Sequence, residues 1–127
     1  MAIKASAIVA TLTVLLGTGG LSPVWAGEAD VVAARLSLQG DGRYTAEVTV
    51  RHADTGWDHY ADLWEVLSPN GDLLGARTLH HPHVEEQPFT RSLRDLEIPV
   101  GIDRVIVRAR DSEHGFGGAE LTIDVPR

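Results

Sequence analysis

Residues 27–127 read as an all-β domain, a single sandwich of seven short antiparallel strands. Two observations predict it. Apolar residues alternate with polar ones at period two, without a helical stripe, and clusters of Gly, Pro, Asn and Asp interrupt that alternation at short intervals. The chain also lacks cysteine, so disulfides, thiolate metal sites and cysteine nucleophiles are all excluded. Stability has to come from one packed apolar core, which about 100 residues suffice to build.

The first strand is predicted over Val31 to Leu38, with Val32, Ala34, Leu36 and Leu38 on one face. Gln39-Gly40-Asp41-Gly42 turns it into the second, Arg43 to His52. There Tyr44, Ala46, Val48 and Val50 face inward while Thr45, Glu47, Thr49 and Arg51 face out. The third, Asp62 to Ser68, offers Trp64 and Val66 to the core, and Pro69-Asn70-Gly71-Asp72 closes a hairpin into the fourth, Leu73 to Leu79. Thr90 to Leu96 forms the fifth. Pro99-Val100-Gly101-Ile102-Asp103 leads into the sixth, Arg104 to Arg110, and the seventh is Glu120 to Val125 with Leu121, Ile123 and Val125 inward. Arg104, Arg108 and Arg110 share the outer face of the sixth strand, where Glu47 or Glu65 would pair with them.

Ahead of this domain stands a segment with the three parts of a secretory signal. Met1 to Lys4 carries one positive charge, Ala5 to Leu16 is an apolar run, and Gly17 to Ala26 ends in the small-residue pattern Val24-Trp25-Ala26. An apolar run of about 12 residues is short of the ~20 that span a bilayer. Residues 1–26 are therefore expected to be cleaved before Gly27, giving a periplasmic or secreted protein with no membrane insertion of its mature part. No cysteine is present to carry a lipid. The mature part would hold ten arginines against 18 carboxylates, a net charge of about −8, which speaks against nucleic acid and anionic membranes as partners.

Seven short strands with an inward Trp64 on the third resemble the immunoglobulin-like and fibronectin type III-like sandwiches, a resemblance of pattern over the whole mature chain. The cysteine pair of antibody domains is missing, as is a tyrosine at the start of the sixth strand. What the resemblance implies is a topology, and no function follows from it.

The chemistry is concentrated in the loops. Strand direction alternates, so the second, fourth and sixth connections, Ala53 to Ala61, His80 to Phe89 and Asp111 to Ala119, are expected at one pole. Five of the six histidines lie in these loops, and His52 stands at the strand end leading into the first of them. His80-His81-Pro82-His83-Val84-Glu85-Glu86 is the densest stretch. Pro82 favours an extended His81, and continued extension would point His81, His83 and Glu85 to one side. His114 is preceded by Asp111 and Glu113 and followed by glycines, and His59 is a further candidate. His52 keeps the inward parity of its strand and reads as a hydrogen-bonded packing residue.

These residues suit a divalent transition metal held by nitrogen and oxygen, zinc or cupric copper, through His81, His83 and His114 with Glu85 or His59 completing the shell. Neither a nucleophile elbow, a phosphate loop nor a His-Glu-x-x-His motif is present. The expected role is metal carriage, buffering or sensing, and not catalysis. The rival expectation is an interaction module in which Trp57, Tyr60, Phe89 and Phe116 form an aromatic patch for another exported protein or a glycan. In that case the histidine loop is only a polar rim.

Overall fold

The computed structural model describes residues 27–127, all of them in strands, turns and loops without a helix. The predicted signal segment, residues 1–26, lies outside the described residues. Eight strands form: β1 Asp30–Leu38, β2 Tyr44–Arg51, β3 Ala61–Leu67, β4 Leu73–Thr78, β5 Phe89–Leu96, β6 Arg104–Asp111, β7 Gly115–Phe116 and β8 Leu121–Asp124. One sheet has the order β1-β2-β5. The other runs β4-β3-β6, with β7 and β8 both paired to the far edge of β6. Every pairing is antiparallel.

Seven of these strands coincide with the predicted ones, most firmly β2 and β6, where burial alternates along the strand. On β2, Tyr44, Ala46, Val48 and Val50 are buried, and on β6 Val105, Val107 and Ala109. With Trp64, Val66, Val31, Leu36, Phe89 and Leu96 they fill one core shared by the two sheets. The eighth strand, β7, is two residues long and too short to alternate. It exists because Gly115, at φ 76°, lets the chain double back after Asp111, so that Asp111 pairs with Gly115 and Arg110 with Phe116.

Strand β1 departs from the predicted facing. A bulge between Val31 and Ala33 shifts its register against β2, so Val31 is buried in place of the predicted Val32. Beyond the bulge Leu36 faces in as predicted, while Leu38 at the strand end is exposed. On the outer face of the second sheet, Arg108 pairs with Glu65 at 2.9 Å and Arg110 with Asp62 at 2.9 Å. Glu47 belongs to the other sheet and pairs with Arg35 at 2.7 Å instead.

The connections sort into two poles. At one, Tyr44 Oη donates to the Pro126 carbonyl at 2.8 Å, and the Gln39 side chain bonds Asp95. At the other, the β2–β3 loop meets the β4–β5 loop through the His83 N–H donating to Asp54 Oδ2 at 2.7 Å, and it meets the β6–β7 turn through Ser112 N–H to the Tyr60 carbonyl at 2.9 Å. The first residues of the domain are fastened to this second pole. Val31 N–H donates to the Ala119 carbonyl at 2.8 Å and Ala119 N–H to Asp30 Oδ1 at 2.7 Å.

This clamp requires Gly118, where a β-carbon would stand 2.0 Å from the Ala29 carbonyl oxygen. Gly118→Ala should therefore lower stability by about 1–3 kcal/mol as overpacked sites do, measured by denaturant unfolding. Gly40→Ala, which meets nothing within 4 Å, should stay within about 0.5 kcal/mol of the parent.

Candidate metal centre

The centre of the loop pole is the carboxylate of Asp111, the last residue of β6 and 1% exposed. It continues the inward parity of Val105, Val107 and Ala109, so the strand itself delivers the charge to the end of the core. Its Oδ1 accepts the N–H groups of Glu113 at 2.6 Å and His114 at 2.9 Å, which shapes the turn into β7. Its Oδ2 faces three imidazoles: His52 Nε2 at 2.5 Å, His59 Nε2 at 2.6 Å and His114 Nδ1 at 3.2 Å.

Each imidazole arrives from a different segment. His52 follows β2 with the inward parity of Val48 and Val50, and is 3% exposed. His59 closes a tight turn: Gly56, at φ 151°, pairs with it across Trp57 and Asp58. His114 sits on the β6–β7 turn and is largely exposed. The rings of His52 and His59 are 4.8 Å apart, and those of His59 and His114 4.9 Å.

A second carboxylate orients the first ring. His52 Nδ1 donates to Asp54 Oδ1 at 2.5 Å, and Asp54 is itself fixed by the N–H groups of Ala61 at 3.1 Å and His83 at 2.7 Å. This is how metal-ligating histidines are commonly held, one nitrogen bonded to a carboxylate and the other turned toward the ion. The Nε2 edge of His52 is also 3.2 Å from the Gly27 carbonyl oxygen.

Electrostatics follows from this geometry. Burial opposes a charge on His52, but the bonds to Asp54 and Asp111 outweigh it and raise its pKa. Burial likewise pushes the carboxyl of Asp54 upward, and His52 with the two backbone N–H donors brings it below the usual range. For Asp111 the burial effect is overcome by the N–H groups of His114 and Glu113 and by the His114 and His59 rings, leaving its pKa lowered. The bond to Asp111 raises that of His114. Two buried carboxylates, Asp54 and Asp111, stand against the His52 ring, so protons on the imidazoles or a bound cation have to balance their charge.

Among the described residues, two groups bring three ligand atoms within 4.8 Å of one another: His52, His59 and Asp111, and on the outside His59, Glu113 and His114. The predicted set is thereby divided. His59 and His114 are at the centre, while His81, His83 and Glu85 belong to neither group. The His81 and His83 rings do lie side by side, 4.7 Å apart. But His83 stacks on Phe89 at 3.9 Å, and its Nε2 accepts from Arg91 at 2.9 Å, so its free lone pair is taken by a cation. Burial, Arg91 and His81 all lower its pKa. The His83 Nδ1 is buried without a partner, and Glu85 is exposed.

The predicted aromatic patch is divided in the same way. Phe89 begins β5 and is 1% exposed, a core residue. Phe116 lies under the Arg108 guanidinium at 3.9 Å. Trp57, 67% exposed, is in edge contact with Tyr60 at 5.7 Å, and Tyr60 and Phe116 are each half-buried. Sequence reasoning missed Asp111 and Asp54 as functional residues and set His52 aside. The signal that would have found them is parity: positions 52 and 54 continue the buried series of β2, and 111 that of β6.

Among known proteins, the chain is 43% identical over 97 residues to a protein of Halomicrobium mukohataei named "Putative lipoprotein", a match covering 76% of this chain and 47% of the relative. The chain thus spans about half the length of the curated relative it matches. No family model matches the chain, and no solved structure does.

The charge balance sets the pH response of the metal-free protein. The raised pKa of His52 contributes stability that is complete below its unfolded value of about 6.5 and is lost as pH rises through the folded value. The depressed Asp54 and Asp111 contribute stability present above about 3.9 and lost as pH falls through their folded values. In chelator, the unfolding midpoint should therefore be highest between about pH 4 and 6.5 and decline toward pH 9. A midpoint flat from pH 6 to 9, or an equal decline in His52→Gln, would contradict a protonated His52.

Proposed function

We propose that this is a small exported protein that binds a divalent transition metal, zinc or cupric copper, at one pole of an immunoglobulin-like or fibronectin type III-like sandwich. The observation that carries the reading is the convergence of imidazole nitrogens from separate segments on one buried carboxylate oxygen, Asp111 Oδ2. A nitrogen-and-oxygen set of this kind suits those metals, with copper favoured where both are available. His52 Nε2, His59 Nε2 and Asp111 Oδ2 are the ligands, and Asp54 holds the first of them in its binding tautomer. A cation there would also balance the two buried carboxylates, Asp54 and Asp111.

Carriage, buffering or sensing fits better than catalysis. Asp54 has three donors on its two oxygens and little freedom to move a proton. Export is supported by the signal pattern of residues 1–26 and by the name of the Halomicrobium mukohataei relative. The sandwich reading is supported by the division β1-β2-β5 against β4-β3-β6-β8, in which β2 to β3, β4 to β5 and β5 to β6 cross between the sheets. A second reading, attachment of an exported protein or glycan, has the exposed Trp57 and its contact with Tyr60 in its favour.

Competition titration with a chromophoric chelator tests the metal reading. His52→Ala and His59→Ala should each weaken zinc or copper binding at least ~10-fold, and Asp54→Asn by about 10- to 100-fold, the usual effect of removing such an orienting partner. His81→Ala should change it less than ~2-fold, within the tolerance of a surface substitution. Metal at 100 times its Kd should stabilise the fold by ~2.7 kcal/mol. The absence of saturable binding would leave the aromatic surface as the standing interpretation.

A further inference from the structure

The inner group of His52, His59 and Asp111 supplies three ligands, one fewer than a closed zinc site uses. His114 does not join that group, since its ligand atoms do not all lie within 4.8 Å of the other three. One further donor already stands at the correct edge. The Gly27 carbonyl oxygen is 3.2 Å from His52 Nε2, the same nitrogen that faces Asp111 Oδ2. Its position is held by the neighbouring residues. The close approach of Gly118 to Ala29, the bonds between residues 30–31 and Ala119, and the contact zone of Gly117 with Glu28 fasten the start of the domain to the β6–β8 connection.

We infer that Gly27 completes the metal site, and that proteolytic removal of residues 1–26 creates the missing ligand. Hydrolysis of the Ala26–Gly27 peptide bond consumes one water. The hydroxyl goes to the Ala26 carbonyl carbon and the hydrogen to the Gly27 nitrogen, so an amide nitrogen with no available lone pair becomes an α-amine with one. That amine and the carbonyl oxygen of the same residue can close on one ion in the small chelate ring that α-amino acids form with zinc and cupric ions. Before cleavage only the weak carbonyl donor is present. The ligand set is thus complete only after export, and the site discriminates the processed chain from its precursor. This inference rests on the metal-binding reading above and on cleavage before Gly27.

The composition makes the test clean. Lys4 is the only lysine in the chain and precedes the cleavage position, so the α-amine of Gly27 would be the sole amine of the processed protein. Three forms are compared by zinc and cupric ion titration against a chelator. These are the exported protein, the same protein acetylated at its amino terminus with hydroxylamine treatment to free any acetylated side chains, and the full 127-residue chain produced without export. Acetylation and retention of residues 1–26 should each weaken binding at least ~10-fold, the loss of one strong nitrogen ligand, while the metal-free unfolding midpoint of the acetylated form stays unchanged. Equal affinity of all three forms, with His52→Ala still abolishing binding, would overturn the role of Gly27 and leave the metal site standing. So would an exported chain whose intact mass shows a start other than Gly27, or a loss on His114→Ala where acetylation has no effect. If none of the forms binds saturably, both readings fail together.

Discussion

A carboxylate at the end of a core strand is the constraint on which the loop pole depends. Asp111 is delivered to the apolar interior by the same parity that buries Val105, Val107 and Ala109, and an unpaired charge there would cost several kcal/mol. Its surroundings are accordingly built around it. Two N–H groups of the following turn take one oxygen, and imidazoles from β2, from the β2–β3 loop and from that turn take the other. The opposite pole carries no comparable burden and closes with a tyrosine hydroxyl on a carbonyl and a few side-chain bonds at the surface. The asymmetry between the ends is therefore a matter of charge, and the end with the charge is the one with chemistry to offer.

The strands were legible because β2 and β6 carry a clear alternation and turn residues bound the others, and the shortfalls have local causes. One extra residue in β1 opposite Thr49 and Val50 turns Val31 inward in place of Val32, an event that leaves no trace in composition. The strand Gly115–Phe116 depends on a single positive φ. The site was less legible than the fold. Three histidines within four residues drew attention to His81 and His83, yet neighbours in sequence share one segment and tend to meet whatever that segment packs on. Here it packs on Phe89 and Arg91. The aromatic ring takes the face of His83 and the guanidinium bonds its Nε2.

Convergence from separate segments is the more informative signal, and it was partly readable. Extending the buried series of β2 through His52 to Asp54, and that of β6 to Asp111, places an imidazole between two acids at the end of the core without any knowledge of loop geometry. What could not be read is which loop histidines join them. His59 does so because Gly56 permits a tight turn, and His114 because the Asp111 carboxylate captures the N–H groups of its own turn. Both depend on backbone conformations that many sequences could adopt.

His52 directly follows β2, the central strand of the three-stranded sheet, and Asp111 ends β6 in the other. The bond between them is therefore a link across the two sheets at the pole, placed where the apolar layer ends. While it is a hydrogen bond, its strength depends on a proton shared among groups whose pKa values pull in opposite directions. An ion held by His52, His59 and Asp111 would replace that proton with bonds that persist at higher pH and would fasten both sheets and the β2–β3 loop at one point. Because residues 27–31 are pinned against the same region through Gly118 and Ala119, the first strand would be drawn into the same unit. Occupancy of the centre and the order of this whole end of the molecule are in that sense one equilibrium, which is the property a carrier or a sensor requires.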